Sequence, residues 1–250
     1  MTDTKERGMI FNSEMVRAIL EGRKTQTRRI MQVQPPKSED FFGSSFGLCR
    51  AVHPDVRMVS LNQYDRLKKH PTDWDLDGSV GVARNAGFPM VYRCPFGSVG
   101  DRIWGRETWG VVSHELDEDG RIQPWTPDRP ATPIHEMPFG NGYYSGHAIY
   151  AADGEFTWGD DDGYEDGRSC WKPSIHMPRA ACRILLEITD VRVERLNDIS
   201  REDAIAEGGT PYFNVDWFSG LWASIYGEES WTANPWVWVI EFKRLEGGDA

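Results

Sequence analysis

The sequence predicts an α+β protein in which a sheet is flanked by a few helices. Four patterns carry that expectation. Ile184, Leu186 and Ile188 alternate with Leu185, Glu187 and Thr189, and near the C-terminus Trp236, Trp238, Ile240 and Phe242 alternate with Val237, Val239 and Glu241, as strands do. Two other stretches place apolar residues three and four apart: Met15 with Ile19 and Val16 with Leu20, and then Phe218, Leu221, Trp222 and Ile225.

Taken in order, the first element is a helix from Asn12 to Glu21. Asn12 or Ser13 can accept from its first amides, and Gly22 suits the left-handed residue that ends it. Lys24 to Ile30 then reads as extended. Residues 31 to 97 hold Pro35-Pro36, the loop-like Gly43-Ser44-Ser45-Phe46-Gly47 and His70-Pro71, with weak periodicity from Val52 to Leu67. Residues 111 to 168 are rich in Gly, Pro and Asp, with a hairpin expected between Gly146–Tyr150 and Glu155–Trp158 around Asp153-Gly154. In the strand from Ile184 the alternation changes phase near Thr189-Asp190, where a bulge or bend fits, and resumes at Val191 and Val193. Ser200 with Asp203 reads as a capping box opening a short helix that runs to Gly208, and a second helix spans Val215 to Tyr226. The strand from Trp236 is expected to be buried on at least one side.

Gly22-Arg23-Lys24-Thr25-Gln26-Thr27-Arg28-Arg29 concentrates four cations and two hydroxyls directly after the first helix. Two readings compete: a solvated turn whose cations complement the helix dipole, and a site for a polar, nucleotide-like ligand.

The chain has 250 residues, a net charge of −11 and four cysteines. That length can bury a core without metal or disulfide staples. No apolar run reaches the about 18 residues of a membrane helix, and the N-terminal segment lacks the apolar region of a signal peptide, so the expected location is the cytoplasm. Cys49, Cys94, Cys170 and Cys182 form neither a dense framework nor a Cys-x-x-Cys pair, which predicts reduced thiols. A zinc site from Cys170, His176 and Cys182 has poor spacing, and neither a metal nor another cofactor is expected. The acidic surplus argues against a protein that tracks many phosphates, so long duplex DNA is disfavoured as a partner. Much of it falls in Glu115, Asp117, Glu118 and Asp119 and in Asp160, Asp161, Asp162, Glu165 and Asp166, read as solvated loops.

The Gly-Arg-Lys-Thr-x-Thr-x-Arg run after a short N-terminal helix resembles the signature of the ASCH family, whose fold is similar to the PUA domains of RNA-modifying enzymes. Gly100-Asp101-Arg102-Ile103-Trp104 resembles the family's entry into a barrel strand, Asp203-Ala204-Ile205-Ala206-Glu207-Gly208 its later acidic helix, and Trp236 to Phe242 its closing strand. The pieces stand in the family's order and cover about half of the chain. The overall similarity is to longer members carried by bacteriophages and prophages. The resemblance implies one domain over residues 1–250: a PUA-like β-barrel with flanking helices, interrupted by insertions at about 31–97 and 111–168.

One branch of that family removes the acetyl group from the exocyclic amine of N-acetylcytidine with a Lys, a Thr and a Glu. Matched motif by motif, those roles fall on Lys24, Thr27 and Glu207, with Arg29 at the motif's arginine. The implied function is hydrolysis of an amide on a modified pyrimidine nucleoside. Alternatives are single-strand ribonuclease activity, a non-catalytic module for RNA or a modified base, and an accessory protein that contacts a host or phage protein. Substrate contacts are expected from Arg23, Thr25, Arg28 and Arg29. Lys24 and Thr27 lie an odd number of residues apart, so a flat strand would turn them to opposite faces; a turn through Thr25 would cure that.

Glu107 shares an apolar face with Ile103, Gly105 and Trp109 on the Gly100 strand and so needs a cationic partner, for which Arg29, Arg28 and Lys24 are the candidates, in a structural pair or in the site. Among the eleven tryptophans, Trp104, Trp222, Trp236 and Trp238 are assigned to the core, while Trp109 and Trp171 border the insertions, where a base-stacking role competes with packing. Ser174 and His176 lack a third catalytic partner; the Pro173 to Pro178 stretch reads as a rigid entry to the following strand.

Overall fold

In the computed structural model the described residues are 4–32, 34, 58–60, 73–76, 92–156, 171–210, 212 and 215–245. The strands are β1 (Glu6–Ile10), β2 (Gln26–Ile30), β3 (Met58–Ser60), β4 (Asp73–Leu76), β5 (Tyr92–Arg93), β6 (Arg102–Arg106), β7 (Trp109–Val112), β8 (Glu115–Leu116), β9 (Ile122–Gln123), β10 (Thr132–Phe139), β11 (Gly142–Tyr150), β12 (Leu185–Arg195) and β13 (Trp236–Leu245). The helices are α1 (Ser13–Leu20), α2 (Arg201–Ala206), α3 (Val215–Tyr226) and α4 (Glu228–Thr232). The protein is α+β and sheet-dominated, with no closed barrel among the described residues. None of the described helices is long and apolar enough to cross a membrane.

The chain divides into two compact units, each assembled from separate stretches of sequence. The first comprises Met1–Lys5, Arg23–Asp101 and Glu187–Lys243. In it β13 lies between β2 and β12, antiparallel to β2, with Thr27 opposite Ile240, Arg28 opposite Val239 and Arg29 opposite Trp238. The expected phase change in β12 is visible as two consecutive exposed residues, Thr189 and Asp190, between buried Ile188 and buried Val191. β13 is buried on both faces through Ile240. One face, Val237 and Val239, packs with Leu196, Ile199, Ala204, Phe218 and Trp222, so α2 and α3, which follow β12, cover that face of the sheet. Within α3, Phe218 and Trp222 are buried, but Ile225 is 44% exposed. The capping box of α2 forms as expected: the Ser200 hydroxyl accepts from the Asp203 amide at 3.0 Å and the Asp203 carboxylate accepts from the Ser200 amide at 3.3 Å.

The second unit comprises Glu6–Gly22, Arg102–Leu186 and Arg244–Ala250. Here β1 pairs in parallel with β6, a strand the hydrophobic pattern did not announce because only Met9 of its five residues is buried. α1 begins where the Asn12 side chain accepts from the Met15 amide at 2.8 Å, and Gly22 follows it at φ 74°. β11 lies between β10 and β7. The hairpin expected around Asp153-Gly154 is therefore corrected: Gly146–Tyr150 is extended, but its partners are β10 and β7, and Ala151–Asp153 forms a 3-10 turn. Thr157 and Trp158 lie outside the described residues, as do the Asp160 to Asp166 cluster and most of residues 31–97. Gly146 shows why β11 can lie so close to its neighbour. At φ 121° it sits where an added Cβ would stand 2.3 Å from the Val112 carbonyl oxygen. Trp109, Ile134, Met137, Ala148, Tyr150, Met177 and Ala181 form this unit's apolar cluster.

Trp104, Trp222, Trp236 and Trp238 are buried, as assigned from sequence, together with Ile103, Ile184, Leu186, Ile188 and Ile240. Pro173 to Cys182 forms two 3-10 turns ahead of β12, which fits the proline-bracketed entry. Glu115 to Asp119 lies on the exposed β8–β9 hairpin, organised by Asp117, whose carboxylate accepts from the Asp119 and Arg121 amides at 3.0 and 2.8 Å.

Candidate active site

The basic run begins at the end of α1 and enters the first unit at Arg23. Because β2 is regular from Gln26 to Ile30, its side chains alternate: Gln26, Arg28 and Ile30 share one face, and Thr27 and Arg29 the other. Before the strand starts, the chain meets the C-terminal end of α2. Lys24 and Glu207 form a single antiparallel bridge, and the Thr25 amide donates to the Ala206 carbonyl at 2.9 Å. The Thr25 carbonyl accepts from Phe242 at 2.9 Å, which ties the same residue to β13.

This backbone docking delivers two cations to one carboxylate. Lys24 Nζ donates to Glu207 Oε2 at 2.7 Å and to the Glu207 carbonyl at 2.8 Å, and Arg28 Nη1 donates to Glu207 Oε1 at 3.2 Å. Lys24 and Glu207 are 2% and 3% exposed. Burial lowers the Lys24 ammonium below the ordinary lysine range; its attraction to Glu207 opposes that, and the neighbouring Arg29 and Arg28 add to it.

Arg28 is held on further sides. Its Nη2 lies 3.0 Å from Glu194 Oε2 and 3.1 Å from Asp203 Oδ2. Asp203 Oδ1 also accepts from Gln26 Nε2 at 3.1 Å and from Arg192 Nη2 at 2.9 Å, and Arg192 in turn pairs with Glu194 and Glu241. Burial alone would raise the Asp203 carboxyl, but the Gln26 hydrogen bond, Arg28, the Ser200 amide and Arg192 together hold it below the usual aspartate range. The cluster thus carries cations on Lys24, Arg28 and Arg192 against carboxylates on Glu194, Asp203, Glu207 and Glu241.

The residues named from sequence separate as follows. Lys24 and Glu207 are in contact, Arg28 joins them, and Thr27 is 2% exposed on the other face of the strand. Arg29, expected as a substrate contact, is half-buried, while Arg23 and Thr25 are exposed, with Arg23 Nη1 donating to the Gly208 carbonyl at 2.6 Å. Arg28 was expected as a substrate contact; its side chain is inaccessible and committed to three carboxylates, so that expectation is corrected.

Glu107, Trp109 and Trp171 belong to the second unit. Glu107 finds a cation that sequence did not single out. Arg183 clamps it with Nε to Oε1 at 2.9 Å and Nη2 to Oε2 at 2.8 Å, and its Nη1 reaches Asp153 at 2.7 Å. Arg29, Arg28 and Lys24 are thus corrected as its candidate partners. The Arg183 guanidinium also stacks 3.9 Å from the centre of the Tyr150 ring. Burial raises the Glu107 carboxyl despite this partner. Trp109 is 0% exposed and packs edge-on against Phe139, so it offers no free face to a base, and the stacking reading is corrected to packing. Trp171 is half-buried beside Lys172, whose backbone bridges Trp109. Of the zinc candidates, Cys170 lies outside the described residues, His176 is exposed and the Cys182 thiol donates to the Ile184 carbonyl at 2.9 Å. No metal-ligand cluster is found among the described residues.

Asp203, Glu194, Arg192 and Arg183 were missed as members of these clusters. A signal was present: Arg192 and Glu194 alternate with buried Val191 and Val193, and Gln26 and Arg28 share one face of β2, which marks a polar face on each strand. No protein-family model, curated protein or solved structure matches this chain.

Proposed function

We propose that this chain is an ASCH-type protein with PUA-like strand architecture that hydrolyses the amide of an acylated pyrimidine nucleoside. The observation that carries the reading is the buried Lys24–Glu207 contact, made between two residues that the motif resemblance selected independently of any geometry. Burial weakens the hold of the Lys24 ammonium on its proton, and Glu207, 2.7 Å away, is placed to take that proton and leave an amine able to accept another.

In this reading the Thr27 hydroxyl, the nucleophile that the resemblance implies, adds to the acyl carbon; because it lies on the face of β2 opposite Arg28, its proton passes to Lys24 through a bridging water or after a shift of the strand. The carbon–nitrogen bond then breaks, and the exocyclic amine leaves with a proton delivered through Glu207. Water hydrolyses the threonine ester, releasing the carboxylic acid and restoring the hydroxyl. Arg29, Arg23 and Thr25, the accessible polar residues of the run, supply donors for the pyrimidine carbonyl and the sugar.

A second reading is favoured by the near-complete burial of Lys24, Thr27 and Glu207. The pair then fixes β2 against α2, and the accessible cations bind a modified base or short single-stranded RNA without turnover. The two readings separate when the purified protein is incubated with N-acetylcytidine, longer acyl cytidines and a short single-stranded RNA. Release of cytidine and free acid is expected from the acyl cytidines. Binding without release supports the module, and cleavage of the RNA instead contradicts amide hydrolysis.

A further inference from the structure

We infer that Arg28 is a positioning residue for Glu207: it occupies Oε1 so that Oε2 stays directed at Lys24, and it makes no contact with substrate. The inference rests on the hydrolytic reading above and adds a residue to it. The geometry is asymmetric in a telling way. Each Glu207 oxygen has its own cation, with Arg28 at 3.2 Å and Lys24 at 2.7 Å, so neither oxygen is left to rotate toward the other. Arg28 can do this because its other terminal nitrogen, Nη2, is anchored by Glu194 and Asp203, at 3.0 and 3.1 Å. Asp203 is itself fixed by the capping box of α2, the helix that ends at Glu207. Helix end, carboxylate and guanidinium therefore form one closed loop of contacts. A lysine has a single nitrogen and cannot span Glu207, Glu194 and Asp203 in the same planar arrangement.

The test compares Arg28→Lys and Arg28→Gln with the unaltered protein in two measurements. Steady-state kinetics with N-acetylcytidine should show kcat falling about tenfold or more in Arg28→Lys with KM nearly unchanged, the signature of a group acting only in the chemical step. NMR of the Lys24 side chain, with no substrate present, should show faster ammonium proton exchange in Arg28→Lys, because Glu207 is no longer clamped. In Arg28→Gln the Lys24 titration midpoint should rise, because a neighbouring cation and competitor for Glu207 is gone. A rise in KM with kcat unchanged makes Arg28 a substrate contact and overturns the inference, as does a Lys24 side chain indifferent to both variants. If Arg28→Gln does not fold, Arg28→Lys decides. If the unaltered protein releases no cytidine, the hydrolytic reading fails, while the Lys24 spectra still decide whether Arg28 orients Glu207.

Discussion

Lys24 and Glu207 meet twice across 183 residues of sequence, side chain to carboxylate and side chain to carbonyl. The second bond matters for stability, because it satisfies the C-terminal end of α2 as well as the ammonium. Replacing Lys24 by Met should therefore destabilise the fold by about 3 kcal/mol, the usual result of breaking a buried ion pair. Urea unfolding measures it. A loss under about 0.5 kcal/mol, typical of exposed positions, would show that the contact contributes nothing to folding.

Asp203 should set part of the acid limit. Its carboxyl is held below its ordinary value in the folded state, so the unfolded chain takes up the proton first on acidification. The stabilisation is complete above the unfolded value, about 3.9, and is lost as pH falls through the lower folded value. Asp203→Asn should be less stable than the unaltered protein at neutral pH, with the two denaturation curves converging below about pH 4. Parallel curves across that range would contradict the assignment.

Glu107 should behave with the opposite sign. Its carboxyl is raised by burial, so the folded state holds the proton to higher pH than the unfolded chain, and the cost of the buried charge grows as pH rises. Arg183→Met removes the cation that offsets this cost and should destabilise by about 3–5 kcal/mol at neutral pH. The difference should shrink as pH is lowered toward the carboxylate range. A difference independent of pH would mean that the loss is one of packing against Tyr150.

Gly146→Ala should cost about 3 kcal/mol, since the new Cβ meets the backbone of Val112 and Ser113 at a positive φ. Gly142→Ala, in the same strand with no heavy atom within 4 Å of the added Cβ, is the control and should change stability little. Equal thermal shifts for both would contradict the close approach of β11 to β7.

What could be read from sequence followed the range of the interaction. The caps of α1 and α2 and the burial of β13 on at least one face are written in neighbouring residues, so Asn12, Ser200, Asp203 and the Trp236 to Phe242 alternation announced them; the burial of its second face was seen only in the structure. β1 was not announced, because its partner β6 begins almost a hundred residues later and its own residues are mostly exposed. The Lys24–Glu207 contact was legible only through motif resemblance, since nothing local in either segment selects the other. Charge pairing defeated prediction for the same reason. Many carboxylates and cations compete in an acidic chain, and only the fold decides that Glu107 takes Arg183 while Arg28 takes Glu207, Glu194 and Asp203.

The most direct test of the central claim is the rate of N-acetylcytidine hydrolysis by the unaltered protein beside Lys24→Ala, Thr27→Ala and Glu207→Ala, each first shown by circular dichroism to be folded. The account predicts cytidine release by the unaltered protein and a loss of kcat of about a hundredfold or more in each variant. Equal release by all four proteins, or none by the unaltered one, would contradict it.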